Sequence, residues 1–145
     1  MVAGDVVTWC VELPAPSCAA RRWPNGSRIL LVDDNYEQVT ALAEVLRIEG
    51  LTAEFATSGC EAIERLAVRV PDFLIVDVQL PDYNGVDLIA HARTLRPALP
   101  AALLTGYPPD HPLIARAIAT SQSSYLSKPV DVDALLDLVA NAVHP

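Results

Sequence analysis

Residues 73–77 read Phe-Leu-Ile-Val-Asp, four apolar side chains in a row closed by a carboxylate. A strand with one face in water alternates apolar and polar residues. An unbroken apolar run this short is what a parallel strand covered on both faces requires. Two more runs have the same form. Ile29-Leu30-Leu31-Val32 ends in Asp33-Asp34, and Ala101-Ala102-Leu103-Leu104 ends in Thr105-Gly106. Thr52-Ala53-Glu54-Phe55 and Ser124-Tyr125-Leu126-Ser127 alternate instead, as half-covered edge strands do.

Helical spacing fills the intervals. Behind Asn35, a helix-capping residue, Val39, Leu42, Ala43 and Leu46 share one face, and Gly50 stops the helix. Ser58 caps a second helix carrying Ala62, Ile63, Leu66, Ala67 and Val70. Gly85 opens a third with Leu88, Ile89, Ala92 and Leu95, closed before Pro97. A fourth, around Ile114, Ala117 and Ile118, follows Pro108, Pro109 and Pro112, which are expected to stiffen its entry. These three residues cannot all face the core if Leu113 also packs, so some apolar area is expected to remain for a partner. The fifth carries Val132, Leu135, Leu136, Val139 and Val143. Five strands alternating with five helices predict an α/β doubly wound parallel sheet. With the alternating strands at the edges and right-handed crossovers, its order is 2-1-3-4-5, a flavodoxin-like (βα)5 arrangement.

The 145 residues suffice for one domain, and 52% of them are hydrophobic, which argues against disorder. Ten basic against 18 acidic side chains leave a net charge of −8. Seven of the basic and 16 of the acidic residues fall within 29–145, so no direct nucleic-acid binding is expected. No apolar run is long enough for a membrane span. Cys10, Cys18 and Cys60 are an odd number without metal-site spacing. The chain reads as cytoplasmic. Residues 1–27 lack any sustained period and carry Pro14, Pro16 and Pro24. They read as a flexible N-terminal extension, with Trp9 and Trp23 available to dock onto a domain spanning 28–145.

In such sheets, ligands bind beyond the carboxyl ends of the strands, where the strand order reverses. That edge receives Asp33 and Asp34 from the first strand, Asp77 from the third, Thr105 from the fourth and Lys128 from the fifth. Three converging carboxylates repel one another unless a cation neutralises them, and hard oxygen donors without nearby histidine or cysteine favour a magnesium-like ion. A hydroxyl and an ammonium beside such a cluster suit a phosphoryl group. Asp77 then reads as the nucleophile that forms an acyl phosphate. Lys128 is the sole lysine among the basic residues, which makes its place at this edge informative.

Over residues 28–145 the chain resembles the receiver domains of two-component response regulators. The resemblance rests on Ile29-Leu30-Leu31-Val32-Asp33-Asp34, Ala56-Thr57-Ser58-Gly59-Cys60-Glu61-Ala62, 74–85, Leu103-Leu104-Thr105-Gly106 and Tyr125-Leu126-Ser127-Lys128-Pro129. It implies that Asp77 accepts a phosphoryl group from a phosphohistidine on a sensor histidine kinase or histidine phosphotransfer protein. It implies Mg2+ bound by Asp34, Asp77 and the Gln79 carbonyl, with Asp33 acting mainly through water. Thr105 and Tyr125 would form the switch, the ring entering space that Thr105 vacates, and so alter the helix 4–strand 5–helix 5 face for a partner protein. Lys128-Pro129 resembles the family's cis peptide. The implied role is signalling rather than that of an enzyme, with intrinsic self-phosphorylation and slow autodephosphorylation.

Ser121-Gln122-Ser123-Ser124 replaces the family's common Gly-Ala-Asp-Asp-like stretch, which puts its charged dimer contacts in doubt. The chain ends just after the fifth helix, so a stand-alone regulator is the expectation. A pseudo-receiver that binds protein without phosphorylation is the main alternative, and a module of a hybrid kinase is another. An aspartyl phosphatase fits less well, having its nucleophile after the first strand and a second acid two residues on, where this chain has Asn35. A flavin carrier would place its phosphate against Asp33 and Asp34, which repel it.

Overall fold

The computed structural model describes Trp23, residues 27–108 and residues 110–143. In chain order its elements are β1 (Arg28–Val32), α1 (Tyr36–Ile48), β2 (Thr52–Ala56), α2 (Gly59–Val68) and β3 (Phe73–Asp77), then α3 (Gly85–Leu95), β4 (Ala101–Thr105), α4 (Pro112–Ser121), β5 (Ser124–Ser127) and α5 (Val132–Val143). The strands form one parallel sheet in the order β2-β1-β3-β4-β5, as predicted.

The unbroken apolar runs exist because successive side chains serve two different cores. Leu30, Val32, Leu74, Val76, Ala101 and Leu103 point to one face and pack with Ala62 and Leu66 of α2, Leu88, Ile89 and Ala92 of α3, and Ile114 and Ala117 of α4. Ile29, Leu31, Phe73, Ile75, Ala102 and Leu104 point to the other and meet Val39, Ala43 and Leu46 of α1 and Leu135, Leu136 and Val139 of α5. Burying each Val, Leu or Ile contributes about 1.5–3 kcal/mol, so both layers are strongly held. Register is set by that alternation, since a one-residue slip would exchange the two cores.

The helix starts follow the sequence. Asn35 accepts from the Gln38 amide and Ser58 from the Glu61 amide. Gly50 follows α1 with a φ of 100°, a left-handed geometry that favours glycine. Three apolar assignments need correction. Ala67 is exposed, because the α2 stripe runs through Ala62 and Leu66, and Val70 lies beyond the helix end. Leu95, the last residue of α3, is exposed. Leu113 does not pack inward but is 54% exposed, so Ile114, Ala117 and Ile118 all face the core. The Val143 side chain lies outside the described residues.

Pro112 is the first residue of α4 rather than part of its approach, and His111 caps it by accepting from the Leu113 amide at 3.2 Å. The approach is closed by the His111 amide donating to the Pro108 carbonyl, while Pro109 lies outside the described residues. Of the expected extension, residues 1–22 and 24–26 also lie outside them. Trp23 does dock: its indole N–H donates to the Glu49 carbonyl at 2.9 Å, and its ring packs against the core beneath α1. Ser27 is buried.

Candidate functional site

Strand pairing brings the predicted residues to one edge. The Val78 amide donates to the Leu104 carbonyl and the Lys128 amide to the Thr105 carbonyl, so the ladders continue past the strand ends and fix the loops that follow. Asp33 and Asp77 are 3% and 8% exposed, Thr105 is 3%, and Asp34 is open to solvent. Lys128 reaches into this cluster. Its Nζ lies 2.8 Å from Asp77 Oδ2 and 3.0 Å from Asp33 Oδ2. The other oxygens are also engaged, Asp77 Oδ1 by the Gln79 amide and Asp33 Oδ1 by the Asn35 amide, both at 3.0 Å. The Lys128–Pro129 peptide is cis.

Burial raises the Asp77 carboxyl above the ordinary carboxylate value, with Asp33 adding to the rise and Lys128 and the Gln79 amide opposing it. Burial alone would lower the Lys128 ammonium, but its bonds to Asp77 and Asp33 hold it above its usual range. One ligand oxygen each from Asp33, Asp34 and Asp77 falls within 4.8 Å of the others. By formal charge, three carboxylates against one ammonium leave a deficit of positive charge in that space. A small divalent cation with oxygen preference fits the deficit and the donor set.

The turn between β3 and α3 holds Gln79 against the site. Its amide bonds Asp77, Gln79 bridges Asn84, and the Gly85 amide donates to the Val78 carbonyl at 2.9 Å. Asn84 caps α3 by accepting from the Val86 amide at 2.8 Å. A methyl group on Gly85 would stand 2.5 Å from the Asp77 carbonyl oxygen and 3.0 Å from Val78 Cα, both backbone atoms that cannot yield. Gly85→Ala is therefore expected to cost about 1–3 kcal/mol, read as a lower denaturation midpoint at unchanged slope.

Thr105 and Tyr125 are joined through Tyr107. Thr105 Oγ1 accepts from the Tyr107 amide at 3.1 Å, and the Tyr125 hydroxyl donates to the Tyr107 carbonyl at 2.8 Å. The Tyr125 ring already packs against the core formed with α2, α3 and α4. These two bonds link the Thr105 hydroxyl to the Tyr125 ring through the backbone of a single residue. The serine-rich stretch before β5 is held from α3: the Arg93 guanidinium donates to the Ser121 and Gln122 carbonyls. Ser121 and Ser123 share a hydroxyl bond of 2.6 Å.

Residues 29–140 match the response regulator receiver domain family. The chain belongs to that family. It is 34% identical over 107 residues to the transcriptional regulatory protein ZraR of Escherichia coli O157:H7, a match covering 74% of this chain and 24% of that one. The DNA-binding transcriptional regulator NtrC of Escherichia coli K12 is 30% identical over 115 residues, covering 79% and 24%. The chain thus spans about a quarter of the length of these curated relatives. Among solved structures, the signal receiver domain of an HD domain-containing protein from Pseudomonas fluorescens Pf-5 superposes with a TM-score of 0.75. It is 34% identical, with 86% of this chain and 91% of that one covered. Residues 29–140 are thus a receiver domain of the two-component kind, and among the described residues no helix is long and apolar enough to cross a membrane.

Sequence reading missed two residues beside this site: Asn84 as the α3 cap, and Tyr107 between Thr105 and Tyr125. Asn84 was visible as a capping residue beside Gly85. Tyr107 acts through contacts across elements, which no local spacing reports.

Proposed function

We propose that the domain, residues 28–145 with Trp23 docked beneath it, accepts a phosphoryl group on Asp77 from a phosphohistidine of a sensor kinase or phosphotransfer protein. The observation that carries this reading is the half-buried Lys128 ammonium bridging Asp77 and Asp33 beside a cluster of carboxylate oxygens. An Asp77 oxygen forms the new bond to phosphorus as the phosphorus–nitrogen bond to the donor breaks. Lys128 neutralises charge gathering on the transferred group, and the Thr105 hydroxyl donates to one of its oxygens. Asp34, Asp77 and the Gln79 carbonyl would hold Mg2+, with Asp33 acting through water. The ion supplies charge neutralisation and orientation of the phosphoryl oxygens when bound.

The phosphorylated state is then read by a partner protein on the face of α4, β5 and α5, where Leu113 and Tyr107 offer exposed apolar surface. The excess of acidic side chains leaves duplex DNA outside this reading, and the reaction belongs to the cytoplasm, where phosphohistidine donors are made.

Magnesium tests the site directly. The acids repel one another in the metal-free domain, and an ion that binds only the folded state raises its melting temperature. A clear rise is expected for the natural sequence and none for Asp34→Ala, which keeps the fold because Asp34 is solvent-exposed. A rise of equal size in Asp34→Ala would remove Asp34 from the ligand set.

A further inference from the structure

The β3–α3 turn touches a second element at its tip. Asp82 Oδ1 accepts from the Gly59 amide at 2.8 Å and Asp82 Oδ2 from the Cys60 amide at 2.9 Å. These are the first two amides of α2, 22 and 23 residues away in the chain. The helix already has its own start signals. Ser58 takes the Glu61 amide, and the Glu61 carboxylate returns to the Thr57 amide and hydroxyl. Asp82 takes the two amides that this local cap leaves free, at the positive end of the helix dipole. Those bonds hold the Asp82 carboxyl below its ordinary value of 3.8, the Cys60 amide first and the Gly59 amide second.

The neighbouring side chain locks the same contact sterically. A methyl group on Gly59 would meet Tyr83 Cδ2, Cβ and Cγ at 2.4, 2.6 and 2.7 Å. Asp82 and Tyr83 therefore clamp the turn onto α2 by charge-assisted bonds on one side and ring packing on the other. Between this clamp and the base at Val78 and Gly85 lies Gln79, whose amide bonds Asp77, whose backbone bridges Asn84, and whose carbonyl shares a peptide unit with the Leu80 amide that donates to the Tyr83 carbonyl at 3.1 Å.

We propose that Asp82 is a positioning residue for magnesium: its clasp on the α2 N-terminus sets where the Gln79 carbonyl stands, and with it the affinity of the site for the ion. The inference rests on the function proposed above. Residues that orient a metal ligand without touching the metal typically cost 10–100-fold in affinity when removed. Releasing the turn's tip is expected to act in that way, while the carboxylates, Lys128 and Thr105 stay in place.

The test uses the full chain, with Mg2+ affinity from calorimetric titration and the phosphorylation rate from acetyl phosphate measured across Mg2+ concentrations. Asp82→Ala is expected to raise the Mg2+ dissociation constant about tenfold, while the rate at saturating Mg2+ stays near that of the natural sequence. Asp82→Asn separates charge from clasp, keeping the shape and one acceptor oxygen, and is expected to fall between the two. Gly59→Ala keeps the Asp82 charge but displaces Tyr83, and is expected to weaken Mg2+ in the same direction. The Asp82→Ala, Gly59→Ala double variant should be little worse than the more severe single, since both open one clasp. Unchanged Mg2+ affinity in folded Asp82→Asn and Gly59→Ala overturns the inference, even if Asp82→Ala does not fold. If the natural sequence itself neither binds Mg2+ nor takes phosphate, the proposed function falls, and this inference with it. A normal response there with no effect of the clasp variants removes this inference alone.

Discussion

Incubated with acetyl phosphate and Mg2+, the purified chain is expected to gain one phosphate, labile to base and to hydroxylamine, and Asp77→Asn to gain none. The expectation follows from what surrounds each carboxylate. Asp33 is as buried as Asp77, also bonds Lys128 and likewise has its second oxygen on an amide two residues on, but it follows β1, one strand further than β3 from the strand that ends in Thr105. Asp34 is exposed and has no ammonium beside it among the described contacts. Asp77 ends a central strand between the other acids and Thr105, with Lys128 at 2.8 Å to neutralise the group it would receive. Intact mass before and after hydroxylamine gives the count, and loss of all uptake in Asp77→Asn gives the position. Uptake that persists in Asp77→Asn would move the nucleophile elsewhere.

Legibility of this chain divided along a physical line. The sheet was readable because each central strand serves two cores at once, leaving runs such as Phe73–Val76 with no polar residue, while Thr52–Phe55 and Ser124–Ser127 alternate at the edges. The cluster of Asp33, Asp34, Asp77, Thr105 and Lys128 was readable for a related reason. Strand ends in a parallel sheet share one edge, so knowing the order locates the residues. Contacts between loops and distant elements had no such rule. The hold of Asp82 on Gly59 and Cys60, of Arg93 on Ser121 and Gln122, and of Trp23 on Glu49 depends on how helices are placed on the sheet. Helical periodicity likewise misjudged Ala67 and Leu95, whose exposure is decided by what faces them.

Thr105→Ala is expected to separate phosphorylation from its readout. In the unphosphorylated chain the Thr105 oxygen accepts from the Tyr107 amide, while the Tyr107 carbonyl accepts from the Tyr125 hydroxyl. A phosphoryl group on Asp77 would take the Thr105 hydroxyl as a donor. That pull acts on the Tyr107 main chain and, through its carbonyl, on the Tyr125 ring against α4. Phosphorylation shifts a two-state equilibrium only by contacts that differ between the states, and the Thr105 hydroxyl supplies such a contact. A hydrogen bond to a charged group contributes about 1.5–3 kcal/mol, which corresponds to roughly ten- to hundredfold in that equilibrium. Without the hydroxyl, Asp77 should still take phosphate, more slowly for want of one stabilising donor. The amide shifts of Tyr107, Tyr125 and α4 that accompany phosphorylation should shrink to a small part of their natural size. Tyr125→Phe gives the complementary result, since it removes the bond to the Tyr107 carbonyl while leaving Thr105 free to meet the phosphoryl group. It should keep the natural uptake rate and lose the α4 shifts. Full-sized α4 shifts in Thr105→Ala would show that the signal leaves the site by a route other than Tyr107.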